Sequence, residues 1–165
     1  MKQFNIIALV ALFLVAGCGI TRQTPEEKQA EQQRTAQLVR EKLNARSYRI
    51  DVDYMYPLRG SSKAVTSYSV TVSRDSLDSH LPYIGVATNI PYGGGNGLNF
   101  KDRISGYSET VDGDRHTIVI TVRNPEDTYV YTLDIFDNAN AGISVHCRNR
   151  EDIRYHGTLR LDDVK

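Results

Sequence analysis

The chain has 165 residues, with 20 basic and 20 acidic side chains, ten tyrosines and no tryptophan. A chain of this length is ordinarily one domain, and it can close a core without disulfides or metal. Its balanced charge lacks the cationic footprint of a non-specific nucleic-acid binder or of a protein drawn to anionic lipid, and tyrosine at this density suits half-buried strands or an exposed aromatic surface.

Residues 1–17 are read as a processing signal. Lys2 is their only charge, and residues 6–16 form an uninterrupted apolar run. That run has the length of a signal h-region and is too short to span a bilayer comfortably. Val15-Ala16-Gly17-Cys18 then resembles the lipobox of bacterial lipoproteins. The small residues let the chain enter a signal peptidase extended. The Cys18 thiol is the nucleophile that takes a diacylglyceryl group, and the amino group freed by cleavage takes a further acyl chain. Two or three chains anchor stably where one does not. The alternative is an ordinary secretory signal, or an uncleaved anchor, with Cys18 incidental. Gly19 stands where an aspartate would resemble an inner-membrane retention signal, and no acidic run follows. The expected place is therefore the cell envelope, lipid-anchored in the outer membrane and facing the periplasm. Removal of residues 1–17, and Lys2 with them, leaves 148 residues with a net charge of −1.

Residues 18–24 are a lipidated tether and residues 25–46 a helix. Thr24 caps it, Pro25 suits the first helical position, and Glu27 completes a capping box. The stretch is rich in good helix formers, but its apolar stripe is thin: Ala36, Val39 and Leu43, with Leu38 beside them. Only its C-terminal half can pack on a core, and no sustained heptad marks a coiled coil. The charged N-terminal half is read as a solvated arm.

From Ser47 the period becomes two, and residues 47–161 are read as an antiparallel β domain. Tyr48, Ile50, Val52, Tyr54 and Tyr56 share one face; Tyr68, Val70 and Val72 another; then Ile118, Ile120 and Val122; then Tyr129, Tyr131, Leu133 and Ile135. Ile143, Val145 and Cys147 follow, and last Ile153, Tyr155, Leu159 and Leu161. Such alternation marks half-buried strands. Turns at residues 124–127 and 138–142, the latter with Asn and Gly to take positive φ, make the later strands a meander. The expected fold is mainly β: an antiparallel β-sandwich or partly open barrel of seven or eight strands with one N-terminal α-helix. Residues 81–106 break the pattern as a long insertion rich in Gly, Pro, Tyr and Asn, and loops of that length are usually functional or mobile.

Three strings in this region and near the C-terminus carry a resemblance: Leu81-Pro82-Tyr83-Ile84-Gly85-Val86-Ala87; Pro91-Tyr92-Gly93-Gly94-Gly95-Asn96-Gly97-Leu98-Asn99-Phe100; and Asn149-Arg150 with Ile153-Arg154-Tyr155-His156-Gly157. Together they resemble the domain-of-unknown-function 4251 family of Bacteroides-like Gram-negative bacteria, over residues 47–161. The resemblance implies an exported, often lipidated, mostly β domain. It supplies no activity and no catalytic residues.

Local signatures of chemistry are missing. The glycine-rich stretch has neither the lysine nor the helix of a P-loop, so it reads as a turn-rich loop. His80, His116, His146 and His156 lack zinc-motif spacing; His146 and His156 are placed as neighbours on one outer face if their strands pair. Asp134 and Asp137 with Asn138 and Asn140 resemble a calcium loop, but Ala139 and Ala141 fall on ligand positions. No G-x-S-x-G elbow is present, and Cys147 reads as a buried, inert thiol. No metal and no cofactor are expected. Arg148, Arg150 and Arg154 offer anion contacts, Arg150 foremost because it belongs to the family-like motif; the alternative is pairing with Glu151, Asp152, Asp162 or Asp163.

The leading expectation is a non-enzymatic binding module in which an apolar ligand or lipid enters under an aromatic flap. Leu81, Pro82, Tyr83, Tyr92, Gly93, Gly94, Gly95, Asn99 and Phe100 are its ligand- or partner-contacting residues. The second is a structural or interaction protein with a solid core, its loop docking on an envelope partner. The third is a hydrolase with a dispersed site. Nucleic acid is not an expected partner; the membrane is, through the lipid on Cys18.

Overall fold

The computed structural model describes residues 24–88 and 97–162. The signal peptide, Cys18 with residues 18–23 of its tether, and the loop residues Tyr92, Gly93, Gly94 and Gly95 lie outside the described residues. The chain divides into two units, Met1–Ala30 and Glu31–Lys165. Helix α1 is Pro25–Asn44. At its start the capping box is formed: the Glu27 amide donates to Thr24 Oγ1 (3.2 Å) and the Thr24 amide to Glu27 Oε2 (2.8 Å). These bonds satisfy donors that a helix N-terminus otherwise leaves orphaned.

In the second unit, eight strands follow: β1 (Ser47–Pro57), β2 (Lys63–Ser73), β3 (Ser76–Leu81), β4 (Leu98–Asp112), β5 (Arg115–Arg123), β6 (Thr128–Phe136), β7 (Asn140–Cys147) and β8 (Ile153–Leu159). Each pairs antiparallel with the next, and β8 pairs antiparallel with β1, so the sheet closes into an up-and-down barrel. The expected β class, strand number and N-terminal helix hold. Between the two expected layouts the barrel prevails, and the β1–β8 ladder from Ile50↔Leu159 to Pro57↔Ile153 closes it fully.

Eight strands enclose a space that side chains can just fill. Here they fill it with Ile50, Val70, Val72, Leu77, Ile118, Ile120, Leu133, Ile135, Ile143 and the tyrosines 129, 131 and 155, all at most 2% exposed. Val39 and Leu43, the last apolar pair of α1, belong to the same buried cluster. Each such side chain contributes about 1.5–3 kcal/mol on burial. Outward positions are polar, as with Arg49, Asp51, Thr71, Asp78, Lys101, Thr117 and Arg154. That polarity is the reverse of a barrel whose outside faces lipid.

Three expectations about strands need correction. A bulge between Val52 and Tyr54 flips the face of β1, so Met55 is buried while Tyr54 and Tyr56 are 45% and 41% exposed. An extra residue in one strand inverts every side chain beyond it. The bulge presses β1 against β8 at Gly157, where an added Cβ would overlap the Asp51 carbonyl and lie 3.1 Å from Val52 Cα. Second, the insertion is shorter than residues 81–106, because β4 begins at Leu98 and pairs with β3 from Leu81↔Leu98 to Ser76↔Arg103. Third, the turn after β6 places its positive φ at Ala139 (68°), and Gly142 stands inside β7.

Candidate functional site

The loops joining β1–β2, β3–β4, β5–β6 and β7–β8 gather at one end of the barrel. The β3–β4 loop leaves through Leu81 and returns through Leu98, both wholly buried. Just below it, three interior tyrosines turn their hydroxyls onto backbone or buried polar atoms. Tyr155 donates to the Pro82 carbonyl (2.6 Å), Tyr129 to the Gly97 carbonyl (3.4 Å) and Tyr131 to Ser79 Oγ (2.9 Å), while Ser79 donates to the Leu98 carbonyl (2.7 Å). The Phe100 ring packs on Tyr129 with 4.5 Å between centroids and meets Tyr131 edge-on at 6.3 Å. Burial pushes the phenols of Tyr131 and Tyr155 far above their ordinary range and that of Tyr129 up to about 12. These groups stay neutral and act as donors.

Beyond Leu81 the loop is fastened to the β7–β8 connection. The Glu151 amide donates to the Val86 carbonyl (3.0 Å) and the Thr88 amide to the Asn149 carbonyl (2.9 Å), with Ala87 bridged to Arg150. Glu151 Oε2 accepts from the Val86 amide (3.1 Å), and its Oε1 pairs with Arg59 of the β1–β2 loop (3.0 Å). Tyr83 folds back so that its hydroxyl is shared between the carbonyls of Val86 (3.1 Å) and Glu151 (3.2 Å). Position 85 must be glycine for this, since a Cβ there would lie 2.8 Å from Tyr83 Cζ.

Arg150 anchors the arrangement from inside. Its side chain is 6% exposed, lies 3.5 Å from Glu126 Oε2 and 4.0 Å from Asp127 Oδ2, and has its guanidinium 5.9 Å from the Tyr83 ring centroid. Asp127, with a side chain only 1% exposed, accepts the amides of Thr128 (2.7 Å), Arg148 (3.1 Å) and Asn149 (3.1 Å). Asn124 Oδ1 closes the β5–β6 turn by accepting the amides of Glu126 and Asp127 at 3.0 Å each. The buried guanidinium and carboxylates thus lock loops from three hairpins. Three large apolar side chains are left outward on the crown: Leu58, Ile84 and Val86 are 65%, 43% and 54% exposed.

Of the expected loop residues, Leu81, Pro82, Tyr83 and Phe100 come together here as packing and hydrogen-bonding parts. Asn99 is exposed on β4 opposite His80. Arg150 turns inward onto carboxylates of the β5–β6 turn; of the partners expected for it, Glu151 instead holds Arg59. His146 and His156 are not neighbours, a correction with a simple register cause: on β7 the residue opposite His156 is Gly142, four positions from His146. Each histidine has its own contact. His146 meets Asp152 (2.7 Å), His156 meets Asp53 (3.2 Å), His80 packs on Tyr68, and buried His116 lies between Glu109 (3.1 Å) and Asp137 (3.5 Å). Cys147 is buried and unpaired by disulfide, its thiol pushed up to about 12 by burial first and by Asp127 next. Among the described residues no group of three or more His, Cys, Asp or Glu is placed to hold a metal ion. Sequence reading missed Ser79 and Asp127. The first lies in β3, a strand the alternation does not mark, and the second reads as ordinary turn chemistry.

Fold and site define a closed eight-stranded antiparallel barrel with an N-terminal helix and a cross-tied loop end. Residues 27–159 match the model of the family described as Domain of unknown function (DUF4251), and the chain belongs to that family. The crystal structure of a DUF4251 family protein from Bacteroides eggerthii has a similar fold, with a TM-score of 0.60 and 17% identity over 79% of this chain and 90% of that one. No curated protein matches the chain.

Proposed function

We propose that this chain is a non-enzymatic lipoprotein of the cell envelope, anchored through a lipid on Cys18, whose barrel is a solid scaffold and whose loop end docks on a partner protein. The packed interior carries the reading. Tyr129, Tyr131 and Tyr155 occupy the space under the β3–β4 loop with their hydroxyls already bonded, and this supports a solid domain over one that stores an apolar ligand. The locked crown with outward Leu58, Ile84 and Val86 supports docking, because exposed apolar side chains on a rigid frame suit protein contacts.

Native mass spectrometry of protein extracted from the membrane fraction tests both halves. The expected mass lacks residues 1–17 and carries acyl groups on Cys18, with nothing further bound. A second, non-covalent lipid mass would overturn the solid scaffold, and an unprocessed bare chain would overturn the anchor. A photocrosslinker at Val86 should trap one discrete envelope protein in the cell, and one at Val111 on the β4–β5 hairpin should not. Equal trapping from both positions would overturn docking through the loop end.

A further inference from the structure

We propose that the outer face of the barrel carries an anion-binding site, formed by Arg123 and Arg148 flanking the hydroxyl of Thr128, for a ligand bearing a phosphate or sulfate group. Arg123 stands opposite Thr128 across β5 and β6, and the Arg148 amide donates to the Thr128 carbonyl (3.3 Å) on the other side. The three residues therefore form one row across three adjacent strands. Two strand spacings of about 4.8 Å put the arginine Cα atoms roughly 10 Å apart. Guanidinium groups on such stems can reach one oxyanion held above the threonine between them. All three residues line one groove of about 700 Å³ together with Val130 and His146.

The charge in this groove is uncompensated. The nearest acidic residues are committed elsewhere: Glu126 and Asp127 turn inward to Arg150, and Asp152 is held by His146 at 2.7 Å. Among the described residues the exposed Arg123 and Arg148 make no ion pair. This division of labour separates three arginines that the fold brings together. Arg150 is structural, which leaves Arg148 on one side of the lock and Arg123 on the other to face solvent. Arginine forks match tetrahedral oxyanions in geometry and give up hydration readily, and a threonine hydroxyl adds a neutral donor. The groove runs on into a second of about 320 Å³ that shares Val130 and His146 and adds Tyr56 and Arg154, giving room for the body of the ligand.

The test is titration of the full chain, in neutral detergent at constant ionic strength, with inorganic phosphate, inorganic sulfate and glycerophosphoglycerol, followed by amide chemical shifts. Phosphate and sulfate should move Arg123, Thr128 and Arg148 saturably, and chloride should not. Arg123→Gln with Arg148→Gln alters only exposed side chains and should weaken the apparent affinity at least about tenfold at an unchanged fold. Arg74→Gln, a charge control in the β2–β3 turn that lines neither groove, should leave it within about twofold. Binding of glycerophosphoglycerol as well would assign the site to a phospholipid headgroup; binding of phosphate and sulfate alone would assign it to a free anionic ester. No saturable shift with any probe, equal weakening by Arg74→Gln, or undiminished binding in the double variant would overturn the proposal.

Discussion

Ser79 is the hinge of the buried hydrogen-bond chain, and replacing it by alanine probes whether the barrel is solid. The side chain is 1% exposed, accepts from the wholly buried Tyr131 and donates to the Leu98 carbonyl. Ser79→Ala deletes two hydrogen bonds, each about 0.5–1.5 kcal/mol net, and leaves the Tyr131 hydroxyl as a buried donor without an acceptor, which costs about 1–3 kcal/mol. These terms overlap, and a loss of about 2–4 kcal/mol is expected. Tyr131→Phe deletes one bond and leaves Ser79 still donating to Leu98, for about 1 kcal/mol. In the double variant no orphaned hydroxyl remains. Its loss should fall short of the sum of the single losses by about 1–2 kcal/mol. Urea denaturation read by tyrosine signals, with no tryptophan to confuse them, measures the full cycle. Additivity within about 0.5 kcal/mol, or a Ser79→Ala loss no larger than that of Tyr131→Phe, would mean that water reaches Tyr131 and that the interior is not a solid core.

Two further predictions rest on ionisable groups. Cys147, buried and with its thiol pushed up to about 12, should resist iodoacetamide at about pH 8 in the native chain and react on denaturation; fast native labelling would contradict the burial. Burial pulls the Asp51 carboxyl upward, but hydrogen bonds from Arg49 Nε (2.7 Å) and Arg160 Nε (2.9 Å) outweigh it and hold the carboxyl below its ordinary 3.8. A depressed folded value contributes stability above the unfolded value, and that stability disappears as pH falls through the folded one. The urea midpoint of Asp51→Asn should therefore lie below wild type near neutrality and converge with it toward about pH 2. A gap that persists in acid would show that the loss comes from packing rather than charge.

Much of this architecture was legible in the sequence because its signals are local. Thr24, Pro25 and Glu27 encode a helix start within four residues, and the alternation in β5 through β8 puts every second side chain inside, as read. Reading failed where a residue's role is set across the barrel. β3 has only Leu77 and Leu81 as apolar inward residues, with Ser79 between them at a position that pays off only once Tyr131 arrives from β6. In β4 the inward row includes Asp102, opposite Leu77, which accepts from Asn124 at 3.0 Å and breaks the hydrophobic period. The outward turn of Tyr54 and Tyr56 depends on a bulge that no residue type in β1 announces. At the site, Tyr83 and Arg150 were singled out correctly as belonging to unusual strings. The contacts of Arg150 with carboxylates of a turn more than twenty residues away, and of the Tyr83 hydroxyl with the Glu151 carbonyl, follow only from the fold.

Closure of the ladder between β8 and β1 has a consequence for how this domain meets other proteins. Where the ladders run, every strand is flanked on both sides; among the described residues, free backbone edge is left where β2 before Ser69 and β4 after Ile104 outrun the short β3. Elsewhere an incoming segment cannot extend the sheet by adding a strand, which is a common route both to peptide capture and to unwanted self-association. Edge-to-edge association is thereby confined to those two overhangs. On the proposed crown and groove surfaces a binder would meet side chains, and single substitutions there suffice to separate one contact from the other.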